Sequence, residues 1–211
     1  MKGQWLGPRK HRDLLLVFGG WALGAAAFAG MVGQTDVLLL DDYKDLTVDL
    51  PPLEGYAHID LLAYSFGVAG AAHWLAGQNL AGRGLRLRRS VAIAGTLTPA
   101  SVTSGIPPER VRATAEGLTA ATFATFCRRA GLAGPAPQLD LEAARAELLA
   151  VMARGPAPAY AFDRIWIPRR DRIVPPQAQE YAWHSRAAAV RFVDAPHVPF
   201  RAGQDWQDWL Q

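Results

Sequence analysis

Short apolar runs alternate with helix-like segments along this chain, and that alternation limits its fold more than any other feature. Strands of a parallel sheet read as continuous apolar runs because helices cover both of their faces. We predict strands near residues 14–18, 37–41, 59–64, 90–94, 163–167 and 188–193. The pattern therefore predicts an α/β fold with a mostly parallel sheet and helices on both faces.

The length of the chain fits one well-buried domain and is short for two. We therefore predict a single domain over residues 1–211. Between the fourth and fifth strands, Pro107-Pro108-Glu109 predicts the start of a helix, and two further helices are predicted at 119–130 and 140–153. We expect this insert, about residues 104–158, to form a small helical cap over the strand ends.

The first apolar run permits two interpretations. Basic residues precede residues 14–32, an arrangement that resembles a signal peptide or a membrane span. However, Gly19-Gly20 divides the run, which favours a strand, a turn and an Ala-rich helix. The single cysteine, Cys127, cannot form an internal disulfide. Together these features lead us to expect a cytoplasmic protein.

A serine turn lies between the third predicted strand and the helix that follows it. The segment Ala63-Tyr64-Ser65-Phe66-Gly67 has small residues two positions before and two after the serine. A sharp strand-to-helix turn needs them because the two backbones approach closely there. Ala63 stands where Gly is usual, and Gly67 keeps the second small position. We predict that Ser65 is the nucleophile on this turn.

Asp171 and His197 each follow a later predicted strand, which gives the chain order Ser, Asp, His. This is the order found in α/β-hydrolases, and other serine hydrolase folds use other orders. An imidazole removes the serine proton, and a carboxylate orients the imidazole. We therefore predict Ser65, Asp171 and His197 as the catalytic groups of an acyl hydrolase. The rival acids and histidines are Asp163, Asp194, His11, His58, His73 and His184.

The oxyanion of an acyl transfer reaction needs two backbone N–H donors, one after the nucleophile and one in the loop after an early strand. Phe66 and Trp21 are the candidates, and Gly19-Gly20 would let the loop turn toward the site. Thr96 is another polar residue that follows a predicted strand. Because no paired His/Cys spacing indicates zinc, we predict neither a metal ion nor a cofactor.

The net charge is only +3, but arginines are clustered. Such clusters suit an acidic partner, and the alternative is that they are solvated surfaces. No nucleic-acid-binding motif accompanies them, so we expect neither a nucleic acid nor a membrane partner. The clustered residues are Arg83, Arg86, Arg88, Arg89, Arg110, Arg112, Arg128, Arg129, Arg169, Arg170 and Arg172.

With these motifs assembled, the chain resembles the BioG-type pimeloyl-[acyl-carrier protein] methyl ester esterases, a compact α/β-hydrolase family, over nearly its whole length. Ala94 departs from the pattern, since Asn is expected before Gly95-Thr96. The segments that carry the resemblance are Phe18–Trp21, Asp42–Leu46, Ala63–Gly67, Ala94–Pro99, Gly105–Pro108, Asp171–Pro175 and Pro196–Phe200.

The resemblance implies cleavage of the methyl ester of pimeloyl-acyl-carrier protein in biotin synthesis. It also implies an acidic carrier protein as partner, for which Arg128, Arg129, Arg145 and Arg154 are the predicted contacts. Two alternatives stay open. One is a broader carboxylesterase or acyl thioesterase, and the other is a module that binds an acyl carrier without turnover.

Overall fold

A computed structural model describes residues 1–78 and 86–211, so Arg83 of the first arginine cluster lies outside the described residues. Seven strands form one sheet in the order β1-β3-β2-β4-β5-β6-β7. All neighbouring strands are parallel except β1 and β3. The strands are β1 (Lys2–Trp5), β2 (Asp13–Phe18), β3 (Asp36–Asp41), β4 (His58–Tyr64), β5 (Leu87–Ile93), β6 (Arg164–Pro168) and β7 (Val190–Val193).

The six predicted strands are confirmed, with ends that shift by up to three residues. Strands β2, β3 and β4 are almost entirely buried, as continuous apolar runs predict. The sequence analysis missed β1, which has only four residues and is mostly exposed. Its Lys-Gly-Gln-Trp sequence pairs with the edge of the sheet through the backbone, so it needs no apolar pattern.

Helices cover the sheet and fill the long connection between β5 and β6. The α-helices are α1 (Phe66–Ala76), α2 (Pro108–Glu116), α3 (Ala120–Ala130), α4 (Leu141–Arg154), α5 (Pro176–Ala182) and α6 (Gln207–Leu210). We call α2, α3 and α4 the helical insert. The Ala-rich segment after Gly20 forms only a short 3₁₀ helix, Gly24–Phe28, where a longer helix was expected. Within residues 1–78 and 86–211, no helix has the length and apolar character that crossing a membrane requires.

Local signals fix the ends of the insert helices. The Thr119 hydroxyl accepts a hydrogen bond from the Thr122 N–H at the start of α3, and the Thr122 hydroxyl accepts one from the Thr119 N–H. The Asp140 carboxylate caps α4 by accepting from the Ala143 N–H at 3.0 Å. Gly131 ends α3 at a φ of 81°, a conformation that favours glycine.

Hydrogen bonds attach α4 to loops at the carboxyl ends of the strands. The Trp21 indole donates to the Ala144 carbonyl at 2.9 Å. The Tyr43 N–H donates to Glu147 Oε1 at 3.1 Å, and Arg154 donates to the Tyr43 carbonyl at 2.7 Å. The helical insert is therefore fixed to the segments that follow β2 and β3.

Glu147 is the one carboxyl in this attachment, and it is only 6% exposed. Burial raises its pKa to about 7, and the nearby carboxylates of Asp42 and Asp41 act in the same direction. The hydrogen bond from Tyr43 lowers the pKa but does not cancel the effect of burial. Ionisation of Glu147 therefore costs free energy in the folded protein.

Replacing Glu147 by Gln should make stability less dependent on pH. The unfolded chain loses the Glu147 proton near pH 4.5, and the folded chain retains it up to about pH 7. The contribution of Glu147 to wild-type stability is therefore most favourable below pH 4.5. It falls as the pH rises to about 7 and is constant above that. The free energy of unfolding of Glu147→Gln, relative to that of wild type, should rise by roughly 3 kcal/mol between pH 5 and pH 8. Urea unfolding at several pH values measures this gain.

The exposed Glu116 at the end of α2 provides the control for this measurement. Glu116→Gln should have the same pH dependence as wild type. If the stability difference between Glu147→Gln and wild type were equal at pH 5 and pH 8, the assigned pKa would be wrong.

Candidate active site

Ser65 occupies the tight turn between β4 and α1, with φ 57° and ψ −125°. A non-glycine residue with positive φ is strained and is held only by strong packing around it. The Ser65 N–H donates to the Ile93 carbonyl at the end of β5 at 2.9 Å. This hydrogen bond to a neighbouring central strand helps to hold the strained turn in place.

Two glycines allow this turn to lie against its neighbours. A Cβ on Gly67 would lie 2.2 Å from the Phe18 carbonyl oxygen, and a Cβ on Gly95 would lie 2.3 Å from the Ser65 carbonyl oxygen. Both distances are far below van der Waals contact, so no larger residue fits without displacing the backbone. The small residue that matters after the serine is therefore Gly67, while Ala63 is accommodated in the buried end of β4.

The structure brings Ser65, His197 and Asp171 into one chain of hydrogen bonds. His197 Nε2 lies 3.0 Å from Ser65 Oγ, and His197 Nδ1 lies 2.7 Å from Asp171 Oδ2. All three residues are buried. Because a carboxylate only accepts hydrogen bonds, this arrangement places the imidazole proton on Nδ1 and leaves Nε2 to accept from the serine hydroxyl.

Further donors hold the Asp171 carboxylate in place. The Ile173 and Val174 N–H groups donate to Oδ1 at 2.8 and 2.9 Å. The Gln179 side-chain amide donates to Oδ2 at 3.0 Å, beside His197. Gln179 is fully buried on α5, and the sequence analysis missed it. Its only local signal is a polar residue on the first turn of a short helix eight positions after Asp171.

The two predicted oxyanion donors lie beside the serine. Phe66 is the first residue of α1, where backbone N–H groups have no partner within the helix. Trp21 follows Gly20, whose added Cβ would lie 3.2 Å from Ser65 Cβ. Within the described part of the chain, neither the Trp21 N–H nor the Phe66 N–H has a hydrogen-bond acceptor. Both are therefore available to a group bound at Ser65.

Several of the rival residues have other partners. The Asp163 carboxylate accepts from the Ser90 N–H at 2.8 Å, just before the amino end of β6, whereas Ser65 follows the carboxyl end of β4. Asp194 pairs with Arg170 at 2.7 Å on the surface, and His58 lies 3.0 Å from Asp13. The Thr96 hydroxyl donates to the Ser104 carbonyl at 2.6 Å and so stabilises the loop after β5.

A cavity of about 400 Å³ opens over Ser65 between the sheet and the helical insert. Its wall is largely apolar, and this character comes from α2, α3 and the Trp21 loop. Three arginines also line it, each from a different segment: Arg110 on α2, Arg129 on α3 and Arg172 after β6. The apolar and aromatic lining residues are Trp21, Leu23, Tyr64, Phe66, Ile106, Val111, Ala113, Leu118, Phe123, Phe126, Leu148 and Ile173.

The four arginines predicted as partner contacts occupy different environments. Arg128 is exposed and donates to Thr125, and Arg129 lines the cavity. Arg145 donates to the Ala115 carbonyl at 2.8 Å, and Arg154 donates to the Tyr43 carbonyl at 2.7 Å. The guanidinium groups of Arg145 and Arg154 thus bind the insert to itself and to the core.

Comparison with known proteins gives matches over most of the chain. The family model described as pimeloyl-ACP methyl esterase BioG matches residues 1–140. A malonyl-[acyl-carrier protein] O-methyltransferase from Bacteroides fragilis is 31% identical over 202 residues, which are 90% of this chain and 40% of that protein. This chain therefore spans about two-fifths of the length of that relative.

Solved structures agree with the family match. The crystal structure of BioG from Haemophilus influenzae covers 100% of both chains at a TM-score of 0.83 and 27% identity. A lipase-esterase related protein from Clostridium acetobutylicum covers 93% of this chain and 92% of its own at a TM-score of 0.58. Its 12% identity makes it a likeness of fold alone. The chain therefore belongs to the BioG family, and its fold is that of the α/β-hydrolases.

Proposed function

We propose that this protein is a serine esterase that removes the methyl group from the distal ester of pimeloyl-[acyl-carrier protein] during biotin synthesis. The observation that carries the proposal is the Ser65–His197–Asp171 hydrogen-bond chain at the base of an apolar cavity. Membership of the BioG family supports the choice of substrate. In this reaction the helical insert acts as the cap that covers the bound acyl chain.

Acylation follows from the geometry of the site. Ser65 Oγ attacks the ester carbonyl while His197 Nε2 takes the hydroxyl proton. The negative charge on the former carbonyl oxygen is stabilised by the Trp21 and Phe66 N–H groups. His197 then gives its proton to the leaving methoxide, and methanol departs. The pimeloyl group is left as an ester on Ser65.

Deacylation repeats these steps with water. His197 removes a proton from a water molecule, whose oxygen attacks the acyl-enzyme carbonyl. The same two N–H groups stabilise the second oxyanion, and His197 returns the proton to Ser65 Oγ. Asp171 accepts from the His197 Nδ1–H throughout, so it stabilises the imidazolium that forms in both halves of the reaction.

The cavity suits an uncharged methyl ester at the end of a methylene chain. Its volume is within the range of small-ligand pockets, and its apolar wall can bury the methylenes. An ionised carboxylate would lose its hydration in the same place without a charged partner at the serine. The cavity should therefore accept the ester and disfavour the free acid.

The rim of the cavity suits an anionic group at the far end of the substrate. The side chains of Arg110, Arg129 and Arg172 make no hydrogen bond or ion pair among the described residues. Guanidinium groups bind phosphate and carboxylate oxygens well. An acyl chain on a carrier protein continues into a phosphate-bearing arm and an acidic surface. The relative named as a malonyl-[acyl-carrier protein] O-methyltransferase supports a carrier-bound substrate.

The first test compares wild type with Ser65→Ala on pimeloyl-acyl-carrier protein methyl ester. Wild type should convert the carrier species to one lighter by the mass of a methylene group. Ser65→Ala should lower kcat by a factor of about 10³ or more, because the nucleophile is lost and the fold is kept. Intact-protein mass spectrometry follows both reactions.

The same spectra separate the alternatives. Release of the whole acyl group from the carrier would identify an acyl thioesterase and contradict the proposal. A folded wild type that reacts with a fluorophosphonate but leaves the carrier species unchanged would indicate a carboxylesterase with another substrate. A protein that binds the acyl carrier without turnover or labelling would be a binding module.

Charge reversal at the cavity rim tests the carrier contact. Arg110→Glu and Arg129→Glu should each raise KM for the carrier-bound ester about 10-fold, because an acidic partner is repelled. Neither should change kcat/KM for dimethyl pimelate, which has no carrier. Steady-state kinetics with both substrates measures this difference.

Arg12→Glu is the matched control. Arg12 is exposed just before β2, at the amino ends of the strands, whereas Ser65 lies at their carboxyl ends. It alters the net charge by the same amount and should leave both substrates unaffected. An equal loss on dimethyl pimelate and on the carrier-bound ester would contradict a carrier-specific role of the rim arginines.

A further inference from the structure

Tyr43 is a fully enclosed polar side chain near the site, and the reaction described above gives it no role. It follows β3 within the Asp42–Leu46 segment and is 0% exposed. Its ring lies directly against α1, because a Cβ on Gly70 would be 2.5 Å from Tyr43 Cε1. Tyr43 therefore contacts the helix whose first residue, Phe66, follows the nucleophile.

The Tyr43 hydroxyl fixes the start of the Gly19–Trp21 loop. It donates to the Gly19 carbonyl at 2.8 Å, with the Leu40 carbonyl 3.2 Å away. The Gly19 N–H donates to the same Leu40 carbonyl at 2.8 Å. Both polar groups of Gly19 are thus held, and only Gly20 separates them from the Trp21 N–H.

The backbone of Tyr43 connects this arrangement to the helical insert. Its N–H donates to Glu147, and its carbonyl accepts from Arg154, both on α4. The Trp21 indole donates to Ala144 on the same helix. The Gly19–Trp21 loop is therefore held at its start by Tyr43 and at its end by α4.

We propose that Tyr43 is a positioning residue that orients the Gly19–Trp21 loop, so that the Trp21 N–H points at the oxyanion formed at Ser65. This inference rests on the proposed function and deepens it. It also assigns a role to the Asp42–Leu46 segment, which the sequence analysis singled out without one. Tyr43 touches no substrate atom, because its hydroxyl acts through the Gly19 carbonyl.

The hydroxyl is suited to this task because it stays protonated. Burial raises the pKa of Tyr43 well above its usual range, with the carboxylates of Glu147 and Asp41 adding to the effect. A neutral phenol in an apolar surrounding remains a hydrogen-bond donor across the working pH range. Phenylalanine keeps the ring that packs on Gly70 and removes only the donor.

Tyr43→Phe should lower kcat about 10-fold with KM nearly unchanged, because loss of an oxyanion donor outright costs about 10²- to 10³-fold and a misaligned donor costs part of that. The measurement uses p-nitrophenyl butyrate, which needs no carrier protein. Rates are expressed per serine titrated with a fluorophosphonate, so any unfolded fraction drops out. A trifluoromethyl ketone, which forms an oxyanion on the serine, should bind weaker by a similar factor.

Tyr56→Phe is the matched control. The Tyr56 hydroxyl donates to Asp36 Oδ2 at 2.9 Å. Asp36 is the first residue of β3 and lies at the amino ends of the strands, away from Ser65. This variant also loses one tyrosine hydroxyl and its hydrogen bond. It should retain wild-type kcat and wild-type affinity for the ketone, whatever its effect on thermal stability.

The outcomes separate this inference from the proposed function. If Tyr43→Phe matched Tyr56→Phe in kcat and ketone affinity, the positioning role would be overturned and the esterase proposal would stand. A rise in KM at constant kcat would also overturn it, since the oxyanion forms only after binding. A wild type that neither reacts with the fluorophosphonate nor hydrolyses the ester would overturn both.

Discussion

The close contact between the nucleophile turn and its two neighbouring backbones is the constraint on which the site depends. Gly67 lies against the Phe18 carbonyl and Gly95 against the Ser65 carbonyl, at distances that exclude any side chain. Strands β2, β4 and β5 therefore end at one place. A positive φ at a serine costs of order 1–3 kcal/mol, and the burial of these central strands offsets it. Ser65, whose hydroxyl must be presented, is one of the residues that carry this strain, and Ala94 beside Gly95 is another.

The helical insert does more than enclose the cavity. Its α4 helix binds the loops after β2 and β3 through Ala144, Glu147 and Arg154, while α2 and α3 supply much of the cavity wall. The cavity wall and the loop that carries the Trp21 N–H are consequently parts of one packed unit. In the proposed mechanism, a displacement of α4 would therefore alter substrate binding and oxyanion stabilisation together.

The features that could be predicted from the sequence are those that produce a local pattern of residues. Buried strands form apolar runs, and parallel strands end on the same side of a sheet, so the sequence alone places Ser65, Asp171 and His197 together. The exposed strand β1 has no such pattern and was missed. Gln179 and Tyr43 act through contacts with residues distant along the chain, which no spacing reveals. Ala94 has φ 53°, a conformation that Asn tolerates better than Ala, so the Asn expected there has a backbone reason.

The reacting end of the substrate changes from neutral to charged in the proposed reaction, and the cavity suits the neutral form better. The reacting end of the substrate enters as a neutral ester among Trp21, Tyr64 and Phe66, and the product at the same place is an acid. Once that acid ionises, its carboxylate lies against a largely apolar wall and loses hydration worth several kcal/mol. The free acid is then the poorer ligand, so the product should leave readily. An apolar wall at the serine and arginines at the rim thus favour the substrate over its own product.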